Sequence, residues 1–340
     1  MIRLTLSFLV FLSCSTTVHA QMVQITMNNA RDFVIQYLTT QSTTFEATFN
    51  DINDSSLRQR FFAVLEQKTK QALFLTDIDD TLLESQFIFT SIRYRRTKLA
   101  QHRGEIERAH SNASKAEIEE LLAKEFWDFA RAHPEVRILD PFYADLLREA
   151  QQRGHIVLAL TARPKHFMDI TLRQFQQINI ELGRTLPENF HLSALASLSI
   201  DHGILSSPQD FQHQRSTKAD SLAIFLQHWR QHYGTTFPLT DIFYFDDSNR
   251  DLAEMVNRAP ELLKIQSPQV PPSFHIVKSL AAEYYLKQYG YLNNLEAIGD
   301  WQAAKFTATG EKRNNAEALS SIKNDKRISC QMTLSTNDEF

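Results

Sequence analysis

Four short stretches of this chain carry the residue types that nucleophilic, acid–base and metal chemistry need. The first is Asp77-Ile78-Asp79-Asp80-Thr81. Two carboxylates two residues apart at the end of a strand can face one pocket and hold a divalent cation. The cation would offset their repulsion and leave one carboxylate ionised as a nucleophile. The other could exchange a proton with a leaving group. The plain alternative is a solvated acidic turn. The second stretch is Leu160-Thr161-Ala162-Arg163, where a hydroxyl and exposed backbone N–H groups could hold a phosphoryl oxygen, or where Thr161 could simply cap a helix. The third is Asp246-Asp247-Ser248-Asn249-Arg250-Asp251. Its hard oxygen ligands suit Mg²⁺, with an N-cap cluster as the alternative. The fourth is Lys218, a cation that could neutralise phosphate or restrain a carboxylate, although a lone lysine is more often a surface residue.

Positioning such residues takes a scaffold, and the sequence supplies one. Ala72–Thr76, His155–Leu160 and Asp241–Phe245 are short apolar runs that read as buried strands. They end at Asp77, Thr161 and Asp246. Weaker strand candidates lie at Phe190–Leu195 and Phe274–Val277. Pro141–Arg153 reads as a helix closed by Gly154. Alternation of strand and helix predicts an α/β fold, a three-layer Rossmann-like parallel sheet with helices on both faces. In such sheets ligands bind beyond the carboxyl ends of the strands, where each strong strand here delivers a polar residue.

In chain order these features resemble the haloacid dehalogenase-like hydrolase superfamily. DIDDT at 77 to 81, LTAR at 160 to 163, Lys218 and DDSNRD at 246 to 251 stand where that superfamily has its four motifs. The resemblance implies an aspartyl-phosphate on Asp77, with Asp79 first protonating the leaving group and then activating water. It implies Mg²⁺ on the Asp77 carboxylate, the Asp79 backbone carbonyl and Asp247. Asp246 and Asp251 would support them, and Thr161, Ala162 and Lys218 would bind the phosphoryl oxygens. Asp79 separates phosphatases from dehalogenases, which lack an acid there. A small phosphorylated substrate is therefore expected. A phosphotransferase or a non-catalytic envelope binding protein on the same scaffold are the rival expectations.

The rest of the chain divides around this core, expected at 71–84 and 138–300. Residues 85–137 are charged and helix-rich, and read as a small helical cap insert of the kind that covers the site in that superfamily. Arg93, Arg95, Arg96, Lys98 and Arg103 cluster near its start, either facing the mouth of the site or forming a solvated helix face. Residues 21–70 read as a helical extension, with Phe33, Val34, Tyr37 and Leu38 at helical spacing. Residues 301–340 are polar and poorly periodic, and read as a disordered tail.

Arg3, the apolar Leu4–Leu12 run and Val18-His19-Ala20 form a secretory signal peptide, residues 1–20, with cleavage expected after Ala20 and the periplasm as destination. Cys14 follows Phe11-Leu12-Ser13, a poor fit to a lipoprotein signal. Cleavage would leave Cys330 as the sole cysteine, so cysteine metal sites are unsupported. The Leu4–Leu12 run is too short to span a membrane, and no later apolar run approaches that length. A net charge of -4 and a pI of about 6.3 argue against a general nucleic-acid binder.

Overall fold

The three apolar runs become neighbouring parallel strands. The computed structural model describes residues 20–24, isolated positions between 59 and 66, and 71–163, 167–186, 190, 199–206, 217–233, 239–266, 273–279 and 281–324. The signal segment before Ala20, most of the expected extension, most of the Phe190–Leu195 candidate and the chain beyond Asn324 lie outside the described residues.

Strands β1 (Ala20–Gln24), β2 (Ala72–Thr76), β5 (Ile156–Thr161), β6 (Ser199–Asp201), β7 (Ile204–Ser206), β8 (Asp241–Asp246) and β9 (Ser273–Lys278) form one sheet. Its order is β1-β9-β8-β2-β5-β7-β6, with only β6 antiparallel to its neighbour. Every residue of β2, β5 and β8 is buried, as a parallel strand covered on both faces requires. Side chains alternate between the faces. Phe74 and Val157 join one core, with α3 (Pro141–Gln152) and α4 (Met168–Gln177). Leu73, Leu75 and Leu158 join the other, with α5 (Lys218–His232) and α6 (Asn249–Gln266). The result is a three-layer α/β fold of the Rossmann-like kind. Among the described residues, no helix is long and apolar enough to cross a membrane.

Three strands of this sheet were not expected from the sequence. β1 starts at Ala20, runs into the segment read as helical from residue 21 and pairs with β9 at the sheet edge, so residues 21–24 correct that reading. The β6–β7 hairpin turns at His202-Gly203, both at positive φ (49° and 79°), the conformation that a two-residue hairpin turn demands. Gly203 also presses against the backbone of Gly183, leaving no room for a Cβ.

The insert rises from a two-stranded antiparallel ribbon, β3 (Leu83–Ser85) with β4 (Val136–Ile138). It holds a 3-10 turn (Ile88–Thr90), α1 (Ile92–Ala109) and α2 (Lys115–Ala132). Ser91 and Ser114 cap the two helices, the latter with a full capping box to Glu117.

The largest correction concerns residues 301–340. Through Asn324 they are not a disordered tail. α7 (Ala281–Gln288), α8 (Leu295–Thr309) and α9 (Asn315–Asn324) pack on the insert around a third core that joins Ile88, Phe89 and Tyr94 to Leu286, Ile298 and Ile322. Gln302 and Asn315 are buried there as hydrogen-bond partners. Gln302 Oε1 accepts from Phe89 N at 3.1 Å and Asn315 Oδ1 accepts from Ile88 N at 3.1 Å. The Tyr94 ring occupies the space a Cβ on Gly299 would need, and its hydroxyl donates to Asp300 at 2.7 Å. The polar letters of this segment thus satisfy buried backbone of the insert, and so gave no apolar period to read.

Candidate active site

The ends of β2 and β8 are held flush by strand pairing, which continues one residue past β2: Asp77 N donates to Phe245 O at 2.8 Å. That register brings Asp77 beside Asp246. Lys218 joins them from the opposite side of the sequence. It is the first residue of α5, whose N-cap Thr217 and Asp220 form a capping box that fixes where the helix begins. Its ammonium donates to Asp77 Oδ1 at 2.7 Å and to Asp246 Oδ2 at 2.6 Å, and lies 3.5 Å from Asp251 Oδ2. Lys218 is 7% exposed, so the surface-lysine alternative is excluded.

Charge in this cluster is out of balance. Asp77, Asp246, Asp247 and Asp251 surround Lys218, and of the four only Asp251 has a second cation, Arg250, whose Nε donates to Oδ1 at 2.8 Å. Burial raises the Asp77 carboxyl well above the usual range; Lys218 opposes this, and Asp246, Asp247 and Asp79 add to it. Burial likewise lifts Asp247 to about 7, with Asp80 and Asp246 adding to it. Lys218 is pulled down by burial, but its three carboxylate neighbours outweigh that and raise it. A site short of positive charge is suited to a cation. Asp77, Asp246 and Asp247 each offer an oxygen, all within 4.8 Å of one another, the one such group among the described residues. Hard oxygens in this number fit a divalent metal.

The third acid differs from expectation. Asp246, assigned to a supporting place, belongs to this cluster. Its oxygens are already engaged: Oδ2 takes Lys218 and a hydrogen bond from the buried Tyr244 hydroxyl, and Oδ1 accepts from Ser248 N at 2.7 Å. No hydrogen bond or ion pair engages the Asp247 carboxylate among the described residues. Ser248, not Asp246, accepts from Asp251 N at 3.3 Å and so closes the start of α6.

Thr161 ends β5, and its Oγ1 accepts from Arg163 N at 3.2 Å. The helix that follows starts at Met168 after Phe167, so Thr161 is not its cap. A hydroxyl that accepts one bond still has a proton to donate. Ala162 lies next to it at the end of the strand.

Asp79 is directed elsewhere. Arg163 grips both its oxygens, Nε to Oδ2 at 2.8 Å and Nη2 to Oδ1 at 2.6 Å. Arg163 is buried, and its Nη1 donates to Thr171 at 2.9 Å and to Gln174 at 2.6 Å. Such a planar fork is the strong, orienting form of ion pair. Asp80 adopts φ 59° and donates its N–H to Leu83 O at 2.9 Å, which folds the acidic run back onto β3. Burial raises its carboxyl to about 6, opposed by Arg93 of the insert, whose Nε lies 3.6 Å away.

The five basic residues at the start of the insert divide. Only Arg93 contacts the acidic turn. Arg95 packs over Phe129 at 4.1 Å and pairs with Glu125, Arg103 pairs with Glu119, and Lys98 pairs with Glu296 and Asp300 of α8. These three hold the insert together or fasten it to the C-terminal helices. Arg163 and Tyr244 are the site residues that sequence reasoning missed, whereas Arg93 was named among the basic residues that could face the site. Arg163 stood in view beside Thr161, but its partner Asp79 is 84 positions away.

The chain belongs to the DUF2608 family, a family described as proteins of unknown function, whose model matches residues 49–261. No curated protein matches the chain. The matched residues take in every aspartate of the cluster, Thr161, Arg163 and Lys218, and end before the C-terminal helices.

Proposed function

We propose that this member of the DUF2608 family is an exported, Mg²⁺-dependent phosphatase that hydrolyses phosphomonoesters through an aspartyl-phosphate on Asp77. The observation that carries the reading is the cluster at the strand ends: Asp77 bound to Lys218 at 2.7 Å, with Asp246 and Asp247 around them. Three buried or half-buried acids on one lysine, Asp77, Asp246 and Asp247, are costly to assemble, and such perturbed groups gather at functional sites. The motif resemblance supports the same reading.

In the first half-reaction an Asp77 oxygen attacks phosphorus, the bond to the leaving oxygen breaks, and Asp79 gives its proton to that oxygen. In the second, Asp79 takes a proton from water as the water oxygen attacks phosphorus. The bond to Asp77 then breaks, inorganic phosphate leaves and both aspartates return to their starting states. Thr161 Oγ1 and the Ala162 backbone bind phosphoryl oxygens, while Lys218 keeps Asp77 oriented and lends it positive charge. Asp77 and Asp247 would hold Mg²⁺ by their carboxylates, and the Asp79 backbone carbonyl would be a further ligand. Mg²⁺, when bound, keeps Asp77 ionised and offsets charge on the phosphoryl group. Asp79 can act as an acid only once the Arg163 fork yields one of its oxygens, so substrate binding must loosen that pair.

Phosphate release from a generic aryl phosphate tests this. Turnover is expected with Mg²⁺, its loss with EDTA, and background rates from Asp77→Asn in either. Equal rates from Asp77→Asn and the unaltered protein would overturn the assignment. A second reading follows from the same fork: with both Asp79 oxygens engaged, the protein could bind a phosphorylated ligand without cleaving it. Saturable binding of a phosphate ester with no phosphate released would favour that reading.

A further inference from the structure

Two adjacent acids, Asp246 and Asp247, compete for the place beside Asp77 on a cation, since the three offer oxygens within 4.8 Å of one another. They differ in the donors each already holds. A carboxylate oxygen has two lone pairs. Asp246 Oδ2 spends one on the Lys218 ammonium at 2.6 Å and the other on the Tyr244 hydroxyl. Asp246 Oδ1 spends one on Ser248 N at 2.7 Å. Three donors shared between its two ends also fix this carboxylate in rotation. The Asp247 carboxylate holds no hydrogen bond among the described residues, and Asp247 is half-buried where Asp246 is fully buried.

Tyr244 completes the set at Asp246. It stands two positions earlier on β8, so both side chains leave the same face of the sheet. On that face lies the core that Tyr244 shares with Leu222, Leu252 and Met255, where it is fully buried. A phenol hydroxyl in such a place needs an acceptor, and Asp246 is the one it has. Lys218 carries the chain onward, donating to Asp77 Oδ1 at 2.7 Å. Tyr244, Asp246, Lys218 and Asp77 are thus joined by consecutive hydrogen bonds running from the core to the strand ends.

We propose that Tyr244 is a positioning residue whose hydroxyl keeps Asp246 on Lys218 and away from the metal, which leaves Asp247 as the acid that joins Asp77 on the cation. The proposal rests on the Mg²⁺ site of the reading above and not on turnover. Without the hydroxyl, Asp246 Oδ2 regains a lone pair that no protein donor meets, and its carboxylate is freer to turn. Asp246 then joins Asp77 and Asp247 on the cation, and its hold on Lys218 weakens. Loss of the hydroxyl should therefore tighten the metal and slow the chemistry. Lost packing alone would not give those opposite signs.

Calorimetric titration of the full chain with MgCl₂, in the absence of substrate, tests this. Tyr244→Phe should bind Mg²⁺ about tenfold tighter than the parent, a size of effect that outer partners of metal ligands reach. In an Asp246→Asn background the same change should move the affinity by less than about twofold, because the effect passes through that carboxylate. Asp247→Asn should weaken Mg²⁺ by about tenfold or more, as loss of a ligand does, and Asp246→Asn alone by about threefold or less. An affinity unchanged or weaker in a Tyr244→Phe variant that unfolds cooperatively in urea overturns the proposal. If that variant does not fold, the two asparagine variants decide: losses in the stated order support the proposal, and equal losses overturn it. In the phosphatase assay, kcat of Tyr244→Phe should fall about tenfold with KM moved by less than about twofold. Where the parent releases phosphate, a kcat that does not fall overturns the proposal too. No phosphate release by the parent, with the binding results as expected, would overturn the phosphatase reading and leave the role of Tyr244 standing. No Mg²⁺ binding by the parent would overturn both.

Discussion

The strand-end cluster and the seam between insert and C-terminal helices are both buried and both polar, yet they are built on opposite accounts of charge. At the seam, four polar side chains meet partners of matching kind: Asn315 and Gln302 take backbone N–H groups, Tyr94 donates to Asp300, and Lys98 sits between Glu296 and Asp300. At the strand ends, Asp77, Asp246 and Asp247 share a single lysine, and burial pushes Asp77 and Asp247 upward. Satisfied polar groups fix geometry, whereas unbalanced ones keep chemistry available at the cost of stability. The contrast separates residues that hold the molecule together from residues that would act on a substrate.

The sharpest break between the two regions should come from Asp79→Asn. An amide cannot move the proton, so kcat for a poor leaving group should fall by about 10²–10⁴-fold, as measured by steady-state phosphate release. A loss confined to KM would shift Asp79 from proton transfer to binding.

The seam should respond in stability instead. Gln302→Leu orphans Phe89 N, which donates to Gln302 Oε1, and Arg313 O, which accepts from Gln302 Nε2. About 1–3 kcal/mol per orphaned group is the expected loss in urea unfolding, with kcat changed far less than by Asp79→Asn. If kcat falls in step with stability, the two regions are one functional unit.

The cluster should show the reverse sign. Asp247 has a folded value of about 7 against an ordinary 3.8, so between those values the folded state holds the extra proton. Stability therefore falls as pH rises through that window, and the penalty is complete above pH 7. Asp247→Asn removes it. In metal-free buffer the variant should be more stable than the parent by about 1–3 kcal/mol at pH 8, with no advantage near pH 4. Thermal melts across pH measure this. Added Mg²⁺ should stabilise the parent more than the variant. A destabilised variant at pH 8 would mean that Asp247 is structural.

The smallest effect divides the basic face of the insert. Arg93→Ala removes the cation beside Asp80 and should raise KM for phosphate esters by about threefold to tenfold, as loss of a partly exposed ion pair allows. Arg95→Ala should leave KM alone and lower the melting temperature, because Arg95 serves Phe129 and Glu125 within the insert. Interchanged outcomes would reverse the assignment.

Much of the core could be read from residues in a row. β2, β5 and β8 are buried on both faces, so they stand out as unbroken apolar runs, and their ends announce Asp77, Thr161 and Asp246 without any alternating pattern. Lys218 was in place by chain order, but its burial between Asp77 and Asp246 was not, since nothing local to a helix start reveals what its side chain meets. The C-terminal helices escaped because their decisive residues are polar and gain meaning only from partners more than 200 positions away, as with Asn315 to Ile88 and Gln302 to Phe89.

By itself the sequence determined the α/β class, the strand ends and the set of acids that gather there, because local apolar pattern and residue type are enough for those. The tertiary structure alone decided which acid holds which partner. It turned Asp79 to Arg163 rather than to Lys218, made Asp246 a full member of the cluster, and set the Tyr244 hydroxyl on it. Such choices depend on distances between residues remote in sequence and on competition for a few hydrogen-bond donors, and neither is written in any local stretch of the chain.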